Sequence, residues 1–138
     1  MAAAADGEIV MRLYDLRREE TLRKARHFMV FGFNPKSLDE LRAVSRDVSS
    51  AENALWRQTL SYWEMAASLV LRGVVDPNLF LDSNGEGIVI YAKFHHFHAE
   101  TEKESGNLFM QNTAALIEKH PAAKALYDKF LPMFGPKP

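Results

Sequence analysis

The densest gathering of side chains able to do chemistry is the run Phe94-His95-His96-Phe97-His98-Ala99-Glu100-Thr101-Glu102. On a helix, His95, His98 and Glu102 stand at i, i+3 and i+7 and share one face, while His96 and Glu100 point elsewhere. Two imidazoles and a carboxylate at that spacing could hold Zn²⁺ or a ferrous ion, with positions left open for oxygen or hydrolytic chemistry. A further ligand must then come from another element, and His27, His120 and Glu64 are the candidates. The competing reading needs no metal. Tyr91, Phe94 and Phe109 flank His98, so a partly buried imidazole hydrogen-bonded to Glu102 accounts for it, with His95 on the rim. Packing is the stronger of the two readings, because the Glu-x-x-His pairs of di-iron bundles and the His-Glu-x-x-His of zincins are both missing.

Other chemistries fall away on residue type. There is no cysteine, which excludes disulfides, thiolate metal sites and a cysteine nucleophile. Gly85-Glu86-Gly87 lacks the third glycine and the Lys-Ser/Thr pair of a phosphate loop and reads as a turn. No Gly-x-Ser-x-Gly elbow occurs. Glu100, Glu102 and Glu104 read as solvent-facing carboxylates beside Lys103 rather than a catalytic dyad. Lys and Arg number 17 against 18 Asp and Glu, a formal charge of −1, which argues against binding nucleic acid by counterion release. The first helix is rich in arginine (Arg12, Arg17, Arg18, Arg23 and Arg26), but Asp15, Glu19 and Glu20 interrupt it, so it reads as a solvated or salt-bridged surface.

The elements that must position these residues are helical. With 138 residues, 47% of them hydrophobic, the chain makes one domain's core. Ala2 to Gly7 reads as a loose leader within residues 1–7, without the basic and apolar regions of a secretory signal. Apolar spacing predicts a helix from Glu8 to about Phe31, broken by Gly32-Phe33-Asn34-Pro35. Ser37 and Glu40 form a capping box for a short helix to about Val48. The clearest helix runs from Ala51 to Arg72 and stops at Gly73. Asp76-Pro77 starts another. A helix from about Gly87 runs through Glu104, and Ser105-Gly106 either ends it or kinks it on the way to Lys119. Ile88-Val89-Ile90 is β-branched but has no second strand to pair with, so helix is preferred. A last helix, Ala122 to Leu131, ends at Pro132, with 132–138 a loose tail. No apolar run approaches the roughly 20 residues that cross a bilayer. The expectation is an all-α, single-domain bundle of about five to six helices in a cytoplasmic protein.

One set of residues resembles a known group. Leu60-Ser61-Tyr62-Trp63-Glu64-Met65 is followed by Leu69-Val70-Leu71-Arg72-Gly73-Val74-Val75-Asp76 and Leu79-Phe80, and then by Gly87 and Tyr91. With Leu16-Arg17-Arg18-Glu19 and Ala25-Arg26, this pattern over Tyr14 to Phe109 resembles a family of small bacterial helical domains of unknown function. The pattern departs from that family at Phe94 to His98. The resemblance implies a helical fold and brings no catalytic residues.

Trp56 and Trp63 lie at i, i+7 on one side of the strongest helix, beside Leu55 and Tyr62, and the first helix carries two apolar stripes. Surplus apolar surface of this kind is a usual basis for isologous dimers. The expected function is a non-enzymatic interaction or regulatory module that closes as a homodimer through Leu13, Phe31, Trp56 and Trp63, with no nucleic-acid or membrane partner. The alternative is a metal- or small-ligand-binding bundle that uses His95, His98 and Glu102.

Overall fold

Backbone hydrogen bonding divides residues 1–136, those described by the computed structural model, into nine α-helices with no strand among them. They are α1 (Ala4–Arg17), α2 (Glu20–His27), α3 (Leu38–Ser45), α4 (Ala51–Leu71), α5 (Pro77–Ser83), α6 (Glu86–Lys93), α7 (His98–Ser105), α8 (Gln111–Lys119) and α9 (Pro121–Phe134). A π-helical turn, Phe28–Gly32, prolongs α2, and a 3₁₀ turn, His95–Phe97, separates α6 from α7. The class is the expected one. The helices are shorter and more numerous than the expected five or six.

The 21-residue α4 is the axis of the packing. Its Trp56, Thr59, Tyr62, Trp63, Ala66, Ala67 and Val70 are all buried, and α2, α3, α6 and α8 pack around it. Ser50 starts it by accepting from the Asn53 N–H at 3.0 Å. Gly73 ends it at φ +75, with the Gly73 N–H on Val70 O and the Val74 N–H on Leu69 O, the paired bonds of a Schellman motif. Gly87 on α6 lies so close that a Cβ there would meet Trp63 Cβ at 3.2 Å, which is why a side-chain-free residue stands at this crossing. The β-branched run Ile88-Val89-Ile90 is helical, and Ile88 and Ile90 are buried.

Several boundaries depart from the sequence expectation, each for a local reason. Residues read as a loose leader are helical from Ala4, where the Asp6 carboxylate accepts from the Ala3 N–H at 3.3 Å. The long first helix is two, because the Glu19 carboxylate turns back to accept from Thr21 N at 3.0 Å and Leu22 N at 2.9 Å and so starts α2 anew. The long helix expected from Gly87 breaks at Phe94, and the end marked by Ser105-Gly106 falls at Ser105, with Gly106 at φ +76. Pro132 does not end α9, which runs on to Phe134 with the rings of Phe130 and Phe134 packed edge to face at 5.9 Å. Of the tail expected over 132–138, residues 137 and 138 lie outside the described residues.

Helix ends here are satisfied by side chains from other helices. Arg26 of α2 donates to Arg17 O at the end of α1 (3.1 Å). Lys93 of α6 donates to Met29 O (2.8 Å), Val30 O (3.2 Å) and Phe33 O around the π-turn. Buried Asn53 of α4 donates to Val44 O (2.7 Å) and Ser45 O (3.1 Å) at the end of α3. Arg17 of α1 reaches Asn84 Oδ1 at 2.7 Å, just beyond α5. Glu64 of α4 accepts from Asn112 N (2.9 Å), Thr113 N (3.0 Å) and Thr113 Oγ1 (2.8 Å), which caps the start of α8. Met110, the residue before α8, is left-handed at φ 45 and supplies no side-chain cap of its own. Glu64→Ala strips that cap and should lower unfolding free energy in urea by about 2 kcal/mol. Glu64→Gln should recover at least half of the loss, and equal loss in both variants would show that the carboxylate position does not cap α8.

Candidate functional site

The rings of His95 and His98 lie 5.6 Å apart across the break at Phe94, but Glu102, the third member of the expected triad, is engaged elsewhere. His95 lies in the 3₁₀ turn and His98 opens α7. His95 is exposed, and its Nδ1 hydrogen-bonds Tyr127 Oη of α9 at 2.6 Å. His98 is only 9% exposed, with its ring 4.1 Å from that of Tyr91 and 5.2 Å from that of Phe109. Its Nε2 has no hydrogen-bond partner. Glu102 does not reach it: the carboxylate accepts instead from the Phe109 N–H at 3.3 Å. The imidazole is therefore packed as expected, but without the expected hydrogen bond. Among the described residues, no three His, Cys, Asp or Glu side chains gather where one metal ion could bind them. The further ligand candidates are also dispersed. His27 packs on Phe31, Glu64 caps α8, and His120 immediately precedes α9. The residues do not fit the metal triad as they are placed.

Burial pulls the His98 imidazole down from 6.5 to about 4, and nearby His95 and His96 act in the same direction, while a backbone hydrogen bond with Tyr91 opposes them.

The expected interface residues are likewise redistributed. Leu13, Trp56 and Trp63 are in the chain's own core, and only Phe31 is exposed. Tyr62 Oη donates to Leu13 O at 2.5 Å, and Trp63 Nε1 donates to Glu86 Oε1 at 3.2 Å. The two tryptophans read as surplus surface are covered because α4 has neighbours on several sides, which a stripe on a single helix does not disclose.

A sizeable concavity lies elsewhere. A cleft of about 590 Å³ opens between α3, α4, α7 and the connection from Ser105 to Gln111. Its floor is apolar, built from Leu41, Trp56, Leu60 and Phe109. Arg42 and Arg46, four residues apart on and just after α3, both reach Glu104 of α7 at its edge. Arg46 is 2.6 Å from Glu104 Oε2, and Arg42 Nε is 3.3 Å from the same oxygen. Glu104 is thus an ion-pair partner of α3, not a solvated carboxylate beside Lys103. Leu108 on the lip is 57% exposed. The sequence analysis missed this site. Its available signal was the i, i+4 spacing of Arg42 and Arg46, but the partner lies 58 residues from Arg46.

A family model described as a domain of unknown function, DUF4760, matches residues 2–120. The chain belongs to this family. No curated protein and no solved structure matches it. The DUF4760 span takes in the whole lining of the cleft and stops at His120, so α9, with Tyr127, lies beyond it.

One pH dependence follows from the buried imidazole. With its folded pKa below the ordinary value, the unfolded chain takes up the proton first as pH falls. Stability is full above pH 6.5 and is lost progressively toward pH 4, by up to about 1.4 kcal/mol per pH unit. Melting temperatures between pH 7 and pH 4 should show this loss, and His98→Leu should flatten it. An unchanged slope in His98→Leu would assign the acid sensitivity to other groups.

Proposed function

We propose that this DUF4760 chain is a binding module whose ligand occupies the cleft between α3, α4 and α7. The observation that carries the reading is the cleft itself. Its volume of about 590 Å³ falls within the roughly 300–1,000 Å³ of small-molecule sites. An apolar floor with a few charged groups converging at one edge is the arrangement that buries a ligand and fixes its orientation. Burial of Leu13, Trp56 and Trp63 leaves Phe31 as the one exposed residue of the four on which self-association was to rest. This moves the reading from a homodimeric interaction module to ligand binding in a helical bundle. The binding role needs no reaction, and the reading assigns none.

Fragments added to methyl-labelled protein should shift the NMR signals of Leu41, Leu60 and Leu108 while leaving those of Leu13 and Ile90 in place. Leu60→Trp fills the cleft from a half-buried position and should abolish the shifts without lowering the melting temperature. Shifts scattered over the surface, or no shifts from a broad fragment set, would overturn the reading.

A further inference from the structure

We infer that the cleft takes an amphipathic carboxylate, held by Arg42 and Arg46, and that Glu104 occupies this clamp when the ligand is absent. The inference rests on the binding reading above and names the ligand's chemistry.

The two arginines are spaced to act together. One turn of helix separates them, so both guanidinium groups reach one point, and both meet the same carboxylate. Guanidinium is the side chain best matched to a carboxylate, because its planar N–H groups pair with both oxygens. Two guanidinium charges on one carboxylate leave the edge of the cleft with a surplus of positive charge. Arg42 also meets Asp39 at 3.2 Å, but the Asp39 side chain is 93% exposed, so that pair is hydrated and weak. Arg46 is 61% exposed with Glu104 as its partner and has room for a second anion.

The remaining acid in the lining does not oppose an anionic ligand strongly. Glu64 already accepts three hydrogen bonds at the start of α8, so its charge faces donors. Beside the clamp lies the apolar floor of Leu41, Trp56 and Leu60, and Leu108 stands exposed on the lip. A ligand with an acidic head and an apolar body would place the head on the arginines and cover Leu108 with the body. Glu104 sits on α7, whose only buried residue is His98. The exchange of one carboxylate for another there breaks a partly exposed ion pair and makes a similar one, at small net cost.

The test uses 4-phenylbutyrate and its uncharged amide as probes, titrated into methyl-labelled protein and followed at Leu60 and Leu108. The acid should bind at least tenfold more tightly than the amide. Glu104→Gln removes the internal competitor and should tighten the acid several-fold with little effect on the amide. Arg42→Gln with Arg46→Gln should reduce the acid to the affinity of the amide. Arg46→Gln alone, at an exposed position, gives the same direction of change if the double variant does not fold. Equal binding of acid and amide at these methyls would overturn the carboxylate assignment and leave the cleft as a binding site. Weaker acid binding in Glu104→Gln would overturn the role of Glu104 as the stand-in. If neither probe binds the wild type or Glu104→Gln, the inference fails, and the fragment experiment judges the cleft separately.

Discussion

A helix of eight residues leaves as many backbone groups unpaired at its ends as it pairs within, since four N–H and four C=O groups lie outside its internal ladder. Four of the helices here, α2, α3, α6 and α7, are of this length. Such helices are marginal alone in water, and burying their ends costs free energy unless each group finds a partner. The solution is to cap across the fold. Arg26, Lys93, Asn53, Arg17 and Glu64 each leave their own helix to satisfy the end of another. Every such bond fixes two things together, the point where one helix stops and the position of the helix that supplies the cap. This is why a bundle of short pieces takes up a single arrangement around α4.

The same logic explains the run Tyr62-Trp63-Glu64 on α4. Tyr62, Trp63 and Glu64 are consecutive, and each advances about 100° around α4, so they point at three different neighbours. Tyr62 holds α1 through Leu13 O, Trp63 holds α6 through Glu86, and Glu64 holds α8. Glu86 in turn accepts two bonds from Arg26, at 2.8 and 2.9 Å. Arg17 lies 5.0 Å from the Tyr14 ring and 5.9 Å from the Trp63 ring. Ion pairs of this kind, each side chain 24% exposed in the Arg26–Glu86 pair, add little net stability over an apolar core, but breaking one leaves the other partner stranded. Their effect is on which arrangement forms. Each of these three side chains therefore has a structural role, holding a different neighbour of α4.

What the sequence made legible follows from how local each signal is. The Ser37 cap, the helix start at Ala51, the Gly73 stop and the Asp76-Pro77 start all depend on residues within four positions and fall where expected, while the Glu40 carboxylate accepts from the Lys36 N–H and not from that of Ser37. The breaks at Glu19 and Phe94 were missed, while Ser105-Gly106 marked the end of α7. Glu19 is an unusual cap that also fits an i, i+4 pair with Arg23. Phe94 begins a turn that no proline or glycine announces. The metal alternative for the histidine run finds no third ligand for a related reason: Glu102 is engaged by the Phe109 N–H seven residues on, a contact that helical spacing does not disclose. The cleft was hidden by distance: α3 supplies the arginines, α4 the floor and α7 the carboxylate. Periodicity on any one of them reveals only which side is apolar.

Uneven anchoring of the helices links the fold to the candidate site. α4 is tied along its length by buried rings and by caps on its neighbours. α7 buries one residue, no side chain caps its N-terminus, and Gly106 closes its far end. Beyond the contacts of the His98 ring with Tyr91 and Phe109, its links to the rest of the chain include polar ones: Glu102 to the Phe109 N–H and Glu104 to Arg42 and Arg46. Segments with few buried apolar contacts open at lower free energy than the core around them, and binding elements are drawn from that end of the range. The cleft therefore has one rigid wall, α4 with Trp56 and Leu60, and one wall held by exchangeable ion pairs. A rigid apolar floor opposite an adjustable charged rim can accept a ligand without disturbing the caps that define the fold. The proposed binding and the folding thus draw largely on different interactions within the same 138 residues.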